Sequence, residues 1–136
     1  MEAVSAGASN AGGRVVGVTA PAVFPSRSGA NDFVSEEMES GSLTERIHDL
    51  TRIATATITL HGSLGTLTEL MVAWNLAFVA RFSREMAIPV VAVGPHWRTI
   101  IDSLATALDT DRSLVTSVET VDEAVAVITS RILRQS

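Results

Sequence analysis

Four short apolar runs alternate with segments of helical periodicity, and this alternation constrains the fold more than any other feature. The runs are rich in Val and Ile and carry few charges, as is typical of strands covered on both faces. They are Arg14–Thr19, Ala56–Leu60, Ile88–Val93 and Leu114–Val118. The pattern predicts an α/β fold with a mainly parallel sheet, helices on both faces and right-handed crossovers. The length of 136 residues predicts a single domain over residues 1–136.

The helical segments are recognised by apolar residues that recur every three or four positions. They cover residues 43–54, 66–82, 100–108 and 121–132, and residues 1–12 also have a helical pattern. The segment Pro21–Gly41 is rich in Pro, Ser, Gly and acidic residues. It is predicted to be a long loop, with a short helix near Val34–Met38. Loops of this length in compact domains are often binding loops or lids.

Composition and charge exclude several classes of function. The formal net charge is −5, which argues against binding to nucleic acid or to an anionic membrane surface. All ten basic residues are Arg, so this chain has no lysine to form a Schiff base with pyridoxal phosphate. It also has no Cys, and its three His are widely spaced, so neither a metal site nor a cofactor is predicted. We see no signal peptide or membrane-spanning run, so a cytoplasmic protein is expected.

A glycine-containing loop, His61–Gly65, separates the second predicted strand from the long helical segment that starts at Thr66. A strand, a tight loop and a helix N-terminus in succession direct free backbone N–H groups and the positive end of a helix dipole at one point. Such a point suits an anion, above all a phosphate. Glu69 follows one turn into the helix. An anion-binding loop beside a carboxylate predicts a site for a phosphorylated small molecule.

The loop resembles the signature of the LOG family, also called lysine-decarboxylase-like proteins, which reads Pro-Gly-Gly-x-Gly-Thr-x-x-Glu. Here the segment 61–69 reads His-Gly-Ser-Leu-Gly-Thr-Leu-Thr-Glu, with His61 and Ser63 replacing a Pro and a Gly. The family's upstream Glu-Arg-Lys run is similar to Glu45-Arg46-Ile47, and the resemblance extends over nearly the whole chain. It implies a Rossmann-like sheet and a homodimer built largely by helices, with residues such as Leu70, Trp74 and Phe78 available for the interface.

The resemblance also implies roles for individual residues. Arg46 and Glu69 would be the catalytic residues. His61 is a further candidate as an acid–base group or phosphate contact. The phosphate would be held by the loop residues Gly62, Ser63, Leu64, Gly65 and Thr66.

Each of these residues also has a structural interpretation. Thr66 and Glu69 match a capping box, in which the Thr side chain caps the helix and the Glu reaches back to its N–H. The same spacing occurs in residues 42–45 and 120–123, where no function is indicated. Arg46 is, on its helix pattern alone, a solvated surface arginine. His61 could simply close a strand, and His48 and His96 look isolated.

The implied activity is that of a phosphoribohydrolase, which splits the N-glycosidic bond of a nucleoside 5′-monophosphate, such as a cytokinin ribotide or AMP. The products are the free base and ribose 5-phosphate. Compared with the family, the chain is expected to lack the first two strands, one helix and half of the nucleotide site, with Met1 an internal methionine of a longer protein or the start of a degraded gene. A short variant whose exposed strands pair directly or dimerise is the alternative. Two other functions stay open: a non-catalytic protein that binds a nucleotide or molybdenum cofactor, and an inactive remnant.

Overall fold

The computed structural model of the chain describes residues 2–26, 29–83 and 86–134. Its described part contains five α-helices and five β-strands, all paired in parallel, which confirms the predicted Rossmann-like α/β class. The residues fall into two compact units, Met1–Ile53 and Ala54–Ser136. The strands form one parallel sheet of two strands and another of three. Among the described residues, no helix is long and apolar enough to cross a membrane.

The first unit contains helix α1 (Glu2–Asn10), strands β1 (Val16–Thr19) and β2 (Glu36–Glu39), and helix α2 (Leu43–Ile53). Strand β2 pairs with β1 in parallel, from Val16 opposite Glu36 to Thr19 opposite Glu39. Helices α1 and α2 and strand β1 were predicted, although Met1 of the first predicted segment lies outside the described residues.

The predicted short helix near Val34–Met38 is wrong, because strand β2 occupies residues 36–39. Glutamate is a poor strand former, so the sequence carries no local signal for this element. Strand β2 forms because its backbone pairs with β1 and because side chains of the first unit bind two of its carboxylates. Arg14 forms an ion pair with Glu36, and the Thr19 hydroxyl donates to Glu37 at 2.7 Å.

The second unit contains strands β3 (Thr57–Thr59), β4 (Val90–Val93) and β5 (Val115–Val118). Its helices are α3 (Leu64–Val79), α4 (Pro95–Ala107) and α5 (Val121–Leu133). The strands are adjacent in chain order, with β4 in the centre. All four strands predicted from apolar runs are thus present, each shortened by one or two residues.

The core of the second unit has two layers, because successive residues of β4 face opposite sides of the sheet. On one side α3 and α4 pack through Leu70, Trp74, Trp97 and Ile101, all of which are buried. On the other side α5 packs through Ala124. Both Trp side chains are therefore core residues, each with its indole N–H donating to a backbone carbonyl.

Asp111 joins the C-terminal end of α3 to the segment before β5. Hydrogen bonds from the Ser113 hydroxyl and backbone N–H, followed by the contact with Arg81, lower the pKa of Asp111 from 3.8 to about 2. A lowered pKa in the folded state stabilises the fold above about pH 4, and this contribution disappears as the pH falls towards 2. We expect the difference in thermal midpoint between the wild type and Asp111→Asn to shrink over that range, as circular dichroism can measure. A difference that stayed constant with pH would contradict this assignment.

Candidate functional site

The loop between β3 and α3 forms an open helix N-terminus. Helix α3 begins at Leu64, two residues before the predicted start, and Ser63 is its N-cap with extended backbone angles, φ −105° and ψ −162°. The first hydrogen bond of the helix runs from the Leu67 N–H to the Ser63 carbonyl at 3.0 Å. The N–H groups of residues 64–66 therefore have no acceptor within the helix. The Ser63 side chain makes no capping hydrogen bond. This arrangement suits an anion.

Gly62 and Gly65 have different roles in this loop. A Cβ atom on Gly62 would lie 2.0 Å from the Thr66 Oγ1 and 2.6 Å from the Thr66 Cβ. Gly62 is thus required for the close approach of the loop to the first turn of α3. A Cβ on Gly65 would meet no atom of the described residues within 4 Å. The surface over Gly65 is therefore open to a ligand.

Glu69 is not a capping residue, so the capping-box interpretation is wrong for this helix. The cap forms at the two other occurrences of the pattern. In residues 120–123 both reciprocal hydrogen bonds are present, and in residues 42–45 the Ser hydroxyl accepts the N–H of the Glu three residues later. In α3 the early start at Leu64 makes Thr66 the third helical residue and Glu69 the sixth. A carboxylate at the sixth position lies beyond the N-terminal turn that capping boxes close.

Glu69 instead lies on the helix face that carries the open loop. It follows Gly65 by four residues and Thr66 by three, which are the spacings of neighbours on one face of a helix. The residue is half-buried, whereas residues 61–65 are exposed. A carboxylate one turn from three free N–H groups can orient a water molecule or stabilise positive charge on a ligand whose anionic end is held at the helix terminus.

His61 lies at the same edge of the sheet as a second histidine. The centroid of its ring is 4.6 Å from that of His96, which in turn is 4.9 Å from the ring of Trp97. The interpretation of His96 as isolated is therefore wrong. The two histidines meet because Thr59 pairs with Ala92, so that β3 and β4 end side by side. Sequence analysis missed His96, although its place just after a predicted strand and a glycine was a usable signal.

Arg46 belongs to the first unit, on the second turn of α2. Its Nε donates to the Val18 carbonyl at 2.9 Å, near the carboxyl end of β1, and its side chain is half-buried. It is thus held against a strand end rather than extended into solvent. Ligands of parallel α/β sheets bind outside the carboxyl ends of strands, which agrees with a role for Arg46. Its partnership with Glu69, which lies in the other unit, stays a prediction.

No group of three or more His, Asp or Glu side chains in the described ranges has an arrangement that could hold a metal ion. The groups that the described site offers are backbone N–H donors, one carboxylate and two imidazoles. These groups suit recognition of a phosphate ester and proton transfer.

Comparison with protein families shows the family of the chain. Residues 1–131 match the family model described as "Possible lysine decarboxylase", so the chain belongs to this family, the LOG or lysine-decarboxylase-like proteins. Membership supports a role in nucleotide processing at the level of the family. A comparison with curated proteins found no match. The description does not supply an activity, because the chain contains no lysine for a pyridoxal-phosphate Schiff base.

Proposed function

We propose that the protein hydrolyses the N-glycosidic bond of a nucleoside 5′-monophosphate and releases the free base and ribose 5-phosphate. The observation that carries this proposal is the position of Glu69. The early start of α3 excludes it from the helix cap and puts it one turn from an open glycine loop, on the same helix face. A structural role as a cap, which was the main alternative for this carboxylate, is thereby removed.

The proposed chemistry uses the groups of the second unit, together with Arg46 of the first. The N–H groups of residues 64–66 bind the 5′-phosphate, and Gly65 leaves room for it to approach the backbone. Cleavage of the glycosidic bond develops positive charge on the ribose ring. The Glu69 carboxylate stabilises that charge or orients the attacking water. Arg46 is proposed to bind a phosphate or sugar oxygen through its guanidinium group.

The experiment is an assay of base release by the purified chain. We expect AMP to yield adenine and ribose 5-phosphate, separated by liquid chromatography, whereas adenosine yields none because it lacks the phosphate. Equal turnover of both compounds would contradict the role of the loop as a phosphate site. Absence of base release from a panel of nucleoside monophosphates would contradict the hydrolase proposal.

A second function is non-catalytic binding of a nucleotide or a molybdenum cofactor. The observation that favours it is the departure of two loop positions from the family pattern, His61 and Ser63, both of which are exposed. Side chains at these positions narrow the space around the phosphate. Isothermal titration of AMP separates the two functions, since a binding protein would show affinity without base release.

Of the three residues that the sequence offered for the proposed homodimer interface, only Phe78 is exposed. Leu70 and Trp74 are buried in the core of the second unit, with exposed fractions of 1% and 5%. Phe78 is exposed together with Leu76 and Val79 near the end of α3 and with Phe82 just beyond it. We propose that this apolar surface joins two copies of the chain. A monomeric mass in light scattering at micromolar concentration would contradict it.

A further inference from the structure

The ring of His96 lies among residues that follow the carboxyl ends of two neighbouring strands, β3 and β4. On one side it covers Gly94, where an added Cβ would lie 3.1 Å from the His96 Nδ1 and 3.2 Å from its Cε1. The backbone of Gly94 has a φ of +105°, a conformation that residues other than glycine rarely adopt. Trp97 flanks the ring, and the Trp97 indole N–H donates to the Leu60 carbonyl at 2.9 Å. The start of α4 is thereby tied to the residue before His61.

The other nitrogen of this ring, Nε2, is buried and has no hydrogen-bond partner among the described residues. A buried polar atom without a partner loses the hydrogen bonds that it would make in water, so proteins rarely leave one unpaired. Thr57 Oγ1 is also buried without a hydrogen-bond partner among the described residues, but Thr57 lies at the start of β3. His96 lies beyond the carboxyl end of β4. Ligands bind at carboxyl ends in parallel sheets. Of the two atoms, only His96 Nε2 lies at the edge of the sheet where a ligand is expected to bind.

His61 connects this nitrogen to the anion-binding loop. It immediately precedes Gly62, its side chain is exposed, and its ring is 4.6 Å from the His96 ring. An exposed imidazole can change rotamer at little cost, since no core packing holds it. Because the two rings are in contact, rotation of the His61 ring would uncover part of the His96 ring.

We propose that His96 is a phosphate-binding residue, whose Nε2–H donates a hydrogen bond to an oxygen of the phosphate held at the N-terminus of α3 when the His61 ring moves aside. This inference rests on the phosphorylated ligand of the proposed function, but it is independent of hydrolysis. An imidazole N–H is a sufficient donor for a phosphate oxygen, and hydrogen bonds to charged groups are the stronger class. The bound phosphate would thus satisfy the buried nitrogen.

The test uses ribose 5-phosphate as the probe and imidazole ¹H–¹⁵N spectra of the whole chain as the readout. We expect the Nε2 resonance of His96 to shift on titration, while that of His48, which is exposed on α2, stays in place. His96→Phe keeps a ring beside Trp97 and removes the donor. It should weaken ribose 5-phosphate binding about tenfold or more in calorimetry, and His48→Phe is the matched control.

The spectra of the wild type keep the inference testable even if His96→Phe folds poorly. Binding of ribose 5-phosphate without a shift of His96 Nε2 would overturn the inference and leave the hydrolase proposal intact. A shift of His96 without base release from AMP would support the inference and remove the hydrolase proposal. A complete lack of ribose 5-phosphate binding would overturn the inference as well.

Discussion

Replacement of Glu69 by Gln is expected to lower the rate of base release from AMP by about 10²–10⁴-fold, the usual contribution of a positioned acid–base group. The amide keeps the shape of the side chain but cannot carry the negative charge that stabilises the ribose cation. Glu69 lies outside the N-terminal cap of α3, so the substitution leaves that cap in place. Single-turnover kinetics and calorimetry with AMP measure the rate and the affinity separately, and the affinity is expected to change little.

Asp122→Asn is the matched control, because Asp122 is an exposed carboxylate in the first turn of α5. It should leave base release unchanged. If Glu69→Gln turned over AMP at the wild-type rate, Glu69 would have no part in the mechanism. If it lost affinity and rate in equal measure, the carboxylate would act in binding the substrate and not selectively in the transition state.

The second large effect is expected from Gly62→Ala. The new methyl group would lie 2.0 Å from the Thr66 Oγ1 and 2.6 Å from the Thr66 Cβ, so the loop must move away from the helix. Overpacking of this kind costs about 1–3 kcal/mol. Movement of the loop also turns the free N–H groups away from a common point, so the affinity for ribose 5-phosphate should fall at least tenfold. Chemical denaturation and calorimetry measure the two losses.

Gly65→Ala is the control for stability, because a Cβ there meets no described atom within 4 Å and the residue is helical. Alanine is favoured over glycine inside helices by up to about 1 kcal/mol, so this variant should be as stable as the wild type or more stable. Adding Thr66→Ala to Gly62→Ala removes the nearest clashing atom and should restore part of the stability. An unchanged unfolding curve for Gly62→Ala alone would show that the contact is not required.

The sequence predicted most of the elements because their signals are local. The Val- and Ile-rich runs became β1, β3, β4 and β5, and the helical periods became α2 to α5. Strand β2 was not predictable in this way. Residues 36–39 read Glu-Glu-Met-Glu, and they form a strand only because the chain returns to pair with β1 and because Arg14 and Thr19 bind two of the glutamates. A local sequence pattern cannot show that a segment pairs with a strand about twenty residues away.

The start of α3 shows the same limit within the site. The spacing of Thr66 and Glu69 fits a capping box as well as the spacing in residues 120–123, where the box forms. The difference is the contact between Gly62 and Thr66, which brings the loop onto the first turn and moves the N-cap to Ser63. Sequence spacing cannot distinguish the two cases, because the decision depends on how closely two backbone segments approach.

By itself, the sequence determined the α/β class, the glycine-containing loop before α3, the acid that follows it and the exclusion of lysine-based chemistry, since these depend on residue types and short spacings. Tertiary structure alone decided which distant residues share the site. His61 and His96 are neighbours because β3 and β4 are parallel and in register, with Thr59 opposite Ala92. Parallel pairing brings the residues after both strands to one edge of the sheet, whatever their separation along the chain.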